Sequence, residues 1–207
     1  MKYVIRGALI LVAIGTSRPE LAAQTGQQDG PDCAAAEAVL RGLTAKSGRA
    51  YYRAIQGVMH CPQAGPYALR LEWSGPPKDT VALRLLGDAT SAFRDRRLFE
   101  TTREVVMQTT WPRDVRLTAL RVFVSYFDPY LMVSFRIPDD TSLPGAAFVA
   151  FGGWAHPHGR DGAEPLQPSV RADILSTLTE LESDPTEDPV VGKIAGHLRK
   201  RLASRGQ

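Results

Sequence analysis

The chain is 207 residues long, 43% hydrophobic and 23% charged, which suits one folded domain with a real core and excludes a disordered or fibrous chain. Its formal charge of +3 is weak support for a phosphate-binding surface. It is weaker still because Lys2, Arg6 and Arg18 against Glu20 place a net +2 within residues 1–23.

Residues 1–23 read as a signal peptide. Lys2 and Arg6 precede an apolar run from Gly7 to Gly15 that is too short to span a bilayer comfortably. Cleavage is expected after Ala23, with a cut nearer Gly15 as the alternative, and an uncleaved anchor as the reading against both. No later segment is apolar for long enough to cross a membrane, so the mature chain is expected to lack a transmembrane segment and to be exported, periplasmic or extracellular. Cys33 and Cys61 would then meet an oxidising compartment that favours a disulfide between them, the alternative being two separate buried thiols. They are too far apart for the close ligand spacing of a zinc motif.

Residues 24–31 form a polar, Gly- and Gln-rich flexible junction. From there to residue 204 the pattern is mainly helical. "DCAAAEAVLRGLTA" opens with Asp32 as a cap, and "SGRAYYRAIQGVMHC" repeats Tyr52, Ile55 and Met59 at helical spacing. "PQAGPYALRLEW" adds a short helix ending at Trp73. After the breaker "SGPPKD", the i, i+4 series Val81, Leu85, Ala89 and Phe93 predicts one buried stripe. In the next segment Leu98, Thr102, Val105 and Val106 face inward, while Arg96, Arg97, Glu100, Arg103 and Glu104 supply the wet side.

"WPRDVRLTALRVFVSYFDP" begins a helix at Pro112, with Asp114 in its first turn. Val115, Ala119, Val122 and Tyr126 make one apolar face, and Leu120, Phe123 and Phe127 a second, so this helix must be packed from two sides. The pattern breaks in an insert, residues 128–168. There "YLMVSFRIP" and "AAFVAFGGW", separated by "DDTSLPG", read as a short β-hairpin or as irregular apolar loop. Helices resume with Val170, Ile174, Leu178 and Leu181 inward, and close with Val191, Ile194, Ala195, Leu198 and Leu202 on one face.

Segments starting near Arg49, Thr80 and Asp114 recur every 31 to 34 residues, the period of a solenoid. "RDVRLTALRVFVSYFDP" resembles the first helix of a short bacterial HEAT-like repeat: Asp114, Val115 and Arg116 are followed by Ala119 and Phe123. "DPVVGKIAGHLRKRL" resembles it more loosely through Asp188, Val191, Lys193, Ala195 and Leu198. "DTVALRLLGDA" keeps Asp79, Val81, Arg84 and Leu85 at shifted spacing. A tetratricopeptide array, suggested by "ALRLLGD", fits less well. The resemblance implies an all-α fold, an α-solenoid of HEAT-like helical hairpins, over residues 32–204. It further implies that Asp114, Val115, Arg116 and Ala119 are structural, the Asp capping a turn and the Arg tying repeats together. Function in such modules lies on variable surface, so no catalytic residue and no cofactor carries over.

The expected function is therefore a non-catalytic scaffold for a protein partner in the periplasm or cell envelope, without nucleic acid. Trp154, His156, His158 and Arg160 of the insert are the candidate partner-binding residues. The alternative is a metal-binding protein or enzyme in which His156, His158 and Asp161 hold a metal, although a third firm ligand is missing from the pattern. The cations Lys193, Arg199, Lys200, Arg201 and Arg205 read as a solvated helix face, with nucleic-acid binding as the competing reading.

Overall fold

The structure, a computed structural model, describes residues 32–126 and 168–204. The described residues are all-α, without a strand. Among the described residues there are eight helices, in chain order α1 (Cys33–Gly42), α2 (Gly48–Met59), α3 (Ala64–Trp73), α4 (Thr80–Ser91), α5 (Arg96–Met107), α6 (Arg113–Ser125), α7 (Pro168–Ser183) and α8 (Pro189–Ser204). None is long and apolar enough to cross a membrane. The β-hairpin or loop expected over residues 128–168 falls almost wholly outside the described residues, as do the leader and junction.

Aspartate side chains cap the starts of α4, α5 and α8. Asp79 accepts a hydrogen bond from Ala82 N–H at 2.8 Å, and Asp95 accepts from the N–H groups of Arg97 and Leu98 at 2.8 and 3.1 Å. Asp188 does the same for Val190 and Val191 at the head of α8. Each such cap satisfies amides that have no partner inside the helix, worth about 1 kcal/mol. Asp32, expected as a cap, makes no side-chain capping bond and sits in right-handed helical geometry; its carbonyl instead accepts from Ala36 N–H. No side chain caps α6, whose first turn follows Pro112.

Helices α2, α4 and α6 form one row, with α4 between the other two; α3 packs on α5 in a second row, and α5 also packs on α6. Helix α1 covers α2 and α3, while α7 and α8 pack mainly on each other, with α8 reaching α6. Every residue of α6 from Val115 to Ser125 is buried. This is the two-sided packing expected from its double apolar face: α4 and α5 lie against it, and Phe123 stacks on Phe99 of α5 with ring centroids 4.7 Å apart. Tyr126 meets the same Phe99 edge-on at 5.3 Å and donates from its hydroxyl to the Asp95 carbonyl at 2.9 Å. Burial pushes the Tyr126 phenol far above its ordinary range, so it stays a neutral donor.

Two helices present a different face from the one expected. In α4 the buried side is Ala82, Leu83, Leu86, Gly87, Ala89 and Thr90, whereas Val81 is 72% exposed. The helix is rotated so that Gly87 meets α6: a Cβ there would lie 2.7 Å from Thr118 Cγ2 and from Arg121 Nη2. In α2 it is Tyr51 that is buried and Tyr52 that is exposed. The Tyr51 hydroxyl donates to Glu72 Oε2 at 3.1 Å, and Lys46 reaches the same carboxylate at 3.1 Å. The inward faces of α5, α7 and α8 hold as expected, apart from a half-buried Val170.

Candidate functional site

The site is a groove of about 490 Å³ between α3 and α5. Its floor is Trp73, fully buried and fixed by an indole N–H that donates to Thr90 Oγ1 at 2.9 Å. Burying the indole obliges its N–H to find an acceptor, and Thr90 on the neighbouring α4 supplies it. Val105 of α5 completes the apolar base.

The α3 wall carries Arg70, Leu71 and Ser74. Leu71 is 38% exposed, and Arg70 lies with its guanidinium 5.7 Å from the Tyr67 ring. Arg41 of α1 lies 5.0 Å from the same ring, so Tyr67 is flanked by two cations.

The α5 wall follows one face of the helix: Arg97, then Glu100 and Thr101, then Glu104, then Gln108, with half-buried Trp111 just beyond. Glu100 is engaged by Arg96 at 2.9 Å. Neither Arg97 nor Glu104 has a side-chain ion pair among the described residues, and both are exposed. The groove therefore offers an open cation near the start of α5 and an open carboxylate two turns later. Nothing in it resembles a nucleophile beside a base. Among the described residues, no three His, Cys, Asp or Glu side chains gather where they would hold a metal.

Trp154, His156, His158, Arg160 and Asp161, the residues singled out for partner or metal binding, lie outside the described residues. Cys33 and Cys61 form a disulfide with Cα atoms 5.6 Å apart, which binds the start of α1 to the turn between α2 and α3.

Asp114 is exposed in the first turn of α6, where its charge favours the positive end of the helix dipole. Val115 and Ala119 are core residues. Arg116 is buried: its guanidinium makes two 2.5 Å hydrogen bonds to the Glu187 carboxylate, and Nε donates to the Val106 carbonyl at 2.8 Å. It thus joins the end of α5 and the α7–α8 turn to α6. Arg113 adds a contact to Asp188 at 2.7 Å. Burial raises the Asp188 carboxyl, but the Arg113 hydrogen bond and the α8 amides outweigh it and hold that group below its ordinary range.

Arg199, one of the basic residues of α8, pairs with Glu182 at 2.5 Å. Each raises the charge preference of the other, moving the carboxyl down and the guanidinium up.

The groove could not be found from the sequence because its walls are polar and come from separate segments. The one available signal was that Arg97 and Glu104 share a face of an amphipathic helix. Comparison with family models, with characterised proteins and with solved structures gives no match.

Proposed function

We propose that the chain is an exported, non-catalytic HEAT-like repeat module, an α-solenoid whose α3–α5 groove holds a protein partner in the periplasm or cell envelope. Helices α2, α4 and α6 start at Gly48, Thr80 and Arg113, 32 and 33 residues apart, and α3 and α5 start at Ala64 and Arg96, again 32 apart. That register, with each helix packed on its counterpart in the next pair, supports stacked helical hairpins. Export is supported by the leader pattern and the disulfide.

The single observation that carries the binding reading is the groove itself. It combines an apolar floor, the exposed Leu71, the half-buried Trp111 and two charges without ion pairs. Aromatic and apolar anchors surrounded by polar groups are what a partner's side chains dock against.

The test is capture of partners from an envelope extract by three forms of the protein: unaltered, Leu71→Arg with Trp111→Ala in the groove, and Tyr52→Ala on the exposed face of α2. A partner retained by the unaltered and Tyr52→Ala forms and lost by the groove variant supports the reading. Equal capture by all three, or capture by none, overturns it.

A further inference from the structure

We infer that helix α1 is a lever latched by the Cys33–Cys61 bridge: a dithiol reductant frees it to swing out on the α1–α2 linker while α3, α5 and α6 keep their fold. The inference goes beyond the module reading and does not depend on the groove.

The helix is poorly equipped to hold itself in place. Of its 10 residues only Cys33 and Leu40 are buried, and no side chain caps its start. In α6, by contrast, every residue from Val115 to Ser125 is buried. A helix as short as α1 is marginal on its own in water. Its charged pair, Arg41 with Glu37, closes within the helix. Its noncovalent hold comes mainly from Leu40 in the core, from Ala36 lying close on Gly57 of α2, and from Arg41 beside the exposed Tyr67 ring.

The two ends of α1 are held differently. Cys33 heads the helix, and its bond to Cys61 fixes that end to the α2–α3 turn. Past the other end, Lys46 donates to the Gly75 carbonyl at 2.7 Å and meets the Glu72 carboxylate at 3.1 Å, which pins the linker to the end of α3. Between Gly42 and Lys46 the backbone is not helical, and Thr44 and Ala45 are exposed. That stretch is the hinge, since it can absorb a change of backbone angles without breaking a packed contact.

With the bridge closed, every state in which α1 lifts away is confined to a loop, and its gain in chain entropy is small. Opening the bridge returns that entropy to the detached state, against only the few contacts named above. Cys33 and Cys61 are 6% and 2% exposed, so a reductant reaches the bridge as α1 frays locally. A thiolate of the reductant then bonds to one bridge sulfur, the Cys33–Cys61 bond breaks, and the other sulfur leaves as a thiolate that takes up a proton. The second thiol of the reductant displaces the first sulfur and closes the reductant's own disulfide. Two electrons and two protons thus pass from the dithiol to the two cysteines. The swing uncovers the side of α2 and α3 on which α1 lies.

The test is hydrogen–deuterium exchange read by mass spectrometry on the full chain in three states: oxidised, treated with dithiothreitol without denaturant, and reoxidised. Cys33→Ser with Cys61→Ser is measured beside them. In the treated protein and in the double variant, protection of the hydrogen-bonded amides of α1 is expected to fall roughly a hundredfold, while those of α3, α5 and α6 keep theirs. Reoxidation should restore α1, and dithiothreitol should leave the double variant unchanged.

Protection of α1 that survives reduction overturns the inference, because noncovalent contacts then suffice to hold it. Loss of protection across α3, α5 and α6 as well overturns it, because the bridge then holds the whole fold. A bridge that stays closed in dithiothreitol until denaturant is added also overturns it. If the double variant fails to fold, the dithiothreitol arm, which starts from folded protein, decides.

Discussion

Helix α1 is fastened to the α2–α3 turn by a covalent bridge between residues 28 apart in sequence, whereas the α7–α8 hairpin is fastened to α5 and α6 by side-chain polar contacts between residues more than 70 apart. Arg103 donates to Thr177, Arg113 to Asp188 and Arg116 to Glu187. A disulfide acts mainly by restricting the unfolded chain, so its contribution depends on redox state and little on pH. A buried ion pair exists only in the folded state, and its value depends on both partners being present.

Removing one partner of the buried pair should do the most damage. Arg116→Ala leaves the Glu187 carboxylate, 3% exposed, without its bidentate donor, and is expected to cost about 3 to 5 kcal/mol in chemical denaturation. Replacing both, with Arg116→Met and Glu187→Leu, should restore most of that loss. A single-variant cost below about 1 kcal/mol would show that water reaches the pair and that the hairpin is held by packing alone.

Next in size is the covalent end. Cys33→Ser with Cys61→Ser is expected to cost roughly 3 kcal/mol, and adding reductant to the unaltered protein should reproduce the change. If reductant shifts the midpoint while the double variant does not, the bridge is not the source.

Gly87→Ala separates both ends from the middle of the molecule. The added methyl meets Arg121 and Thr118 at the α4–α6 contact, and a cost of about 1 to 3 kcal/mol should appear equally with and without reductant. Arg121 lies deep in that contact; burial pushes its guanidinium down in pKa while Asp88 opposes the shift.

The smallest effect is electrostatic and pH-dependent. The Asp188 carboxyl is depressed in the folded state, so the stability it contributes is present above its unfolded value, near pH 4, and is lost as pH falls through the folded value. The Arg113 partner is partly exposed, so this amounts to less than about 1 kcal/mol. Asp188→Asn, which retains a capping oxygen, should lie below the unaltered protein in melting temperature at pH 7. The two should converge below pH 4, and parallel melting profiles across that range would contradict the assignment.

Much of the fold was legible because the inward faces of α5, α7 and α8 are continuous apolar stripes that admit one rotation, and the double apolar face of α6 requires packing from two sides. The faces of α2 and α4 were not. Tyr51 and Tyr52 are adjacent and chemically equal; the buried one, Tyr51, shares its face with Ala54, Ile55 and Val58 and donates to Glu72, 21 residues away. In α4 the i, i+4 apolar series lost to a contact through Gly87, a residue with no side chain to register in a hydropathy pattern. The pairing of Cys33 with Cys61 was legible from compartment chemistry. The groove was not, since neither Arg97 nor Glu104 differs from ordinary helix surface until α3 is laid beside them.

The disulfide also sets how the molecule would yield under a pulling force. A chain held at its two ends lengthens as helices unravel, but the residues between Cys33 and Cys61 are short-circuited by the S–S bond. At roughly 3.5 Å per extended residue, the 28-residue separation hides about 100 Å of contour until the bond is reduced. Helices α1 and α2 can lose their packing under load, yet they cannot be drawn out into the tether, and the shortest return path to the native arrangement remains closed in a loop.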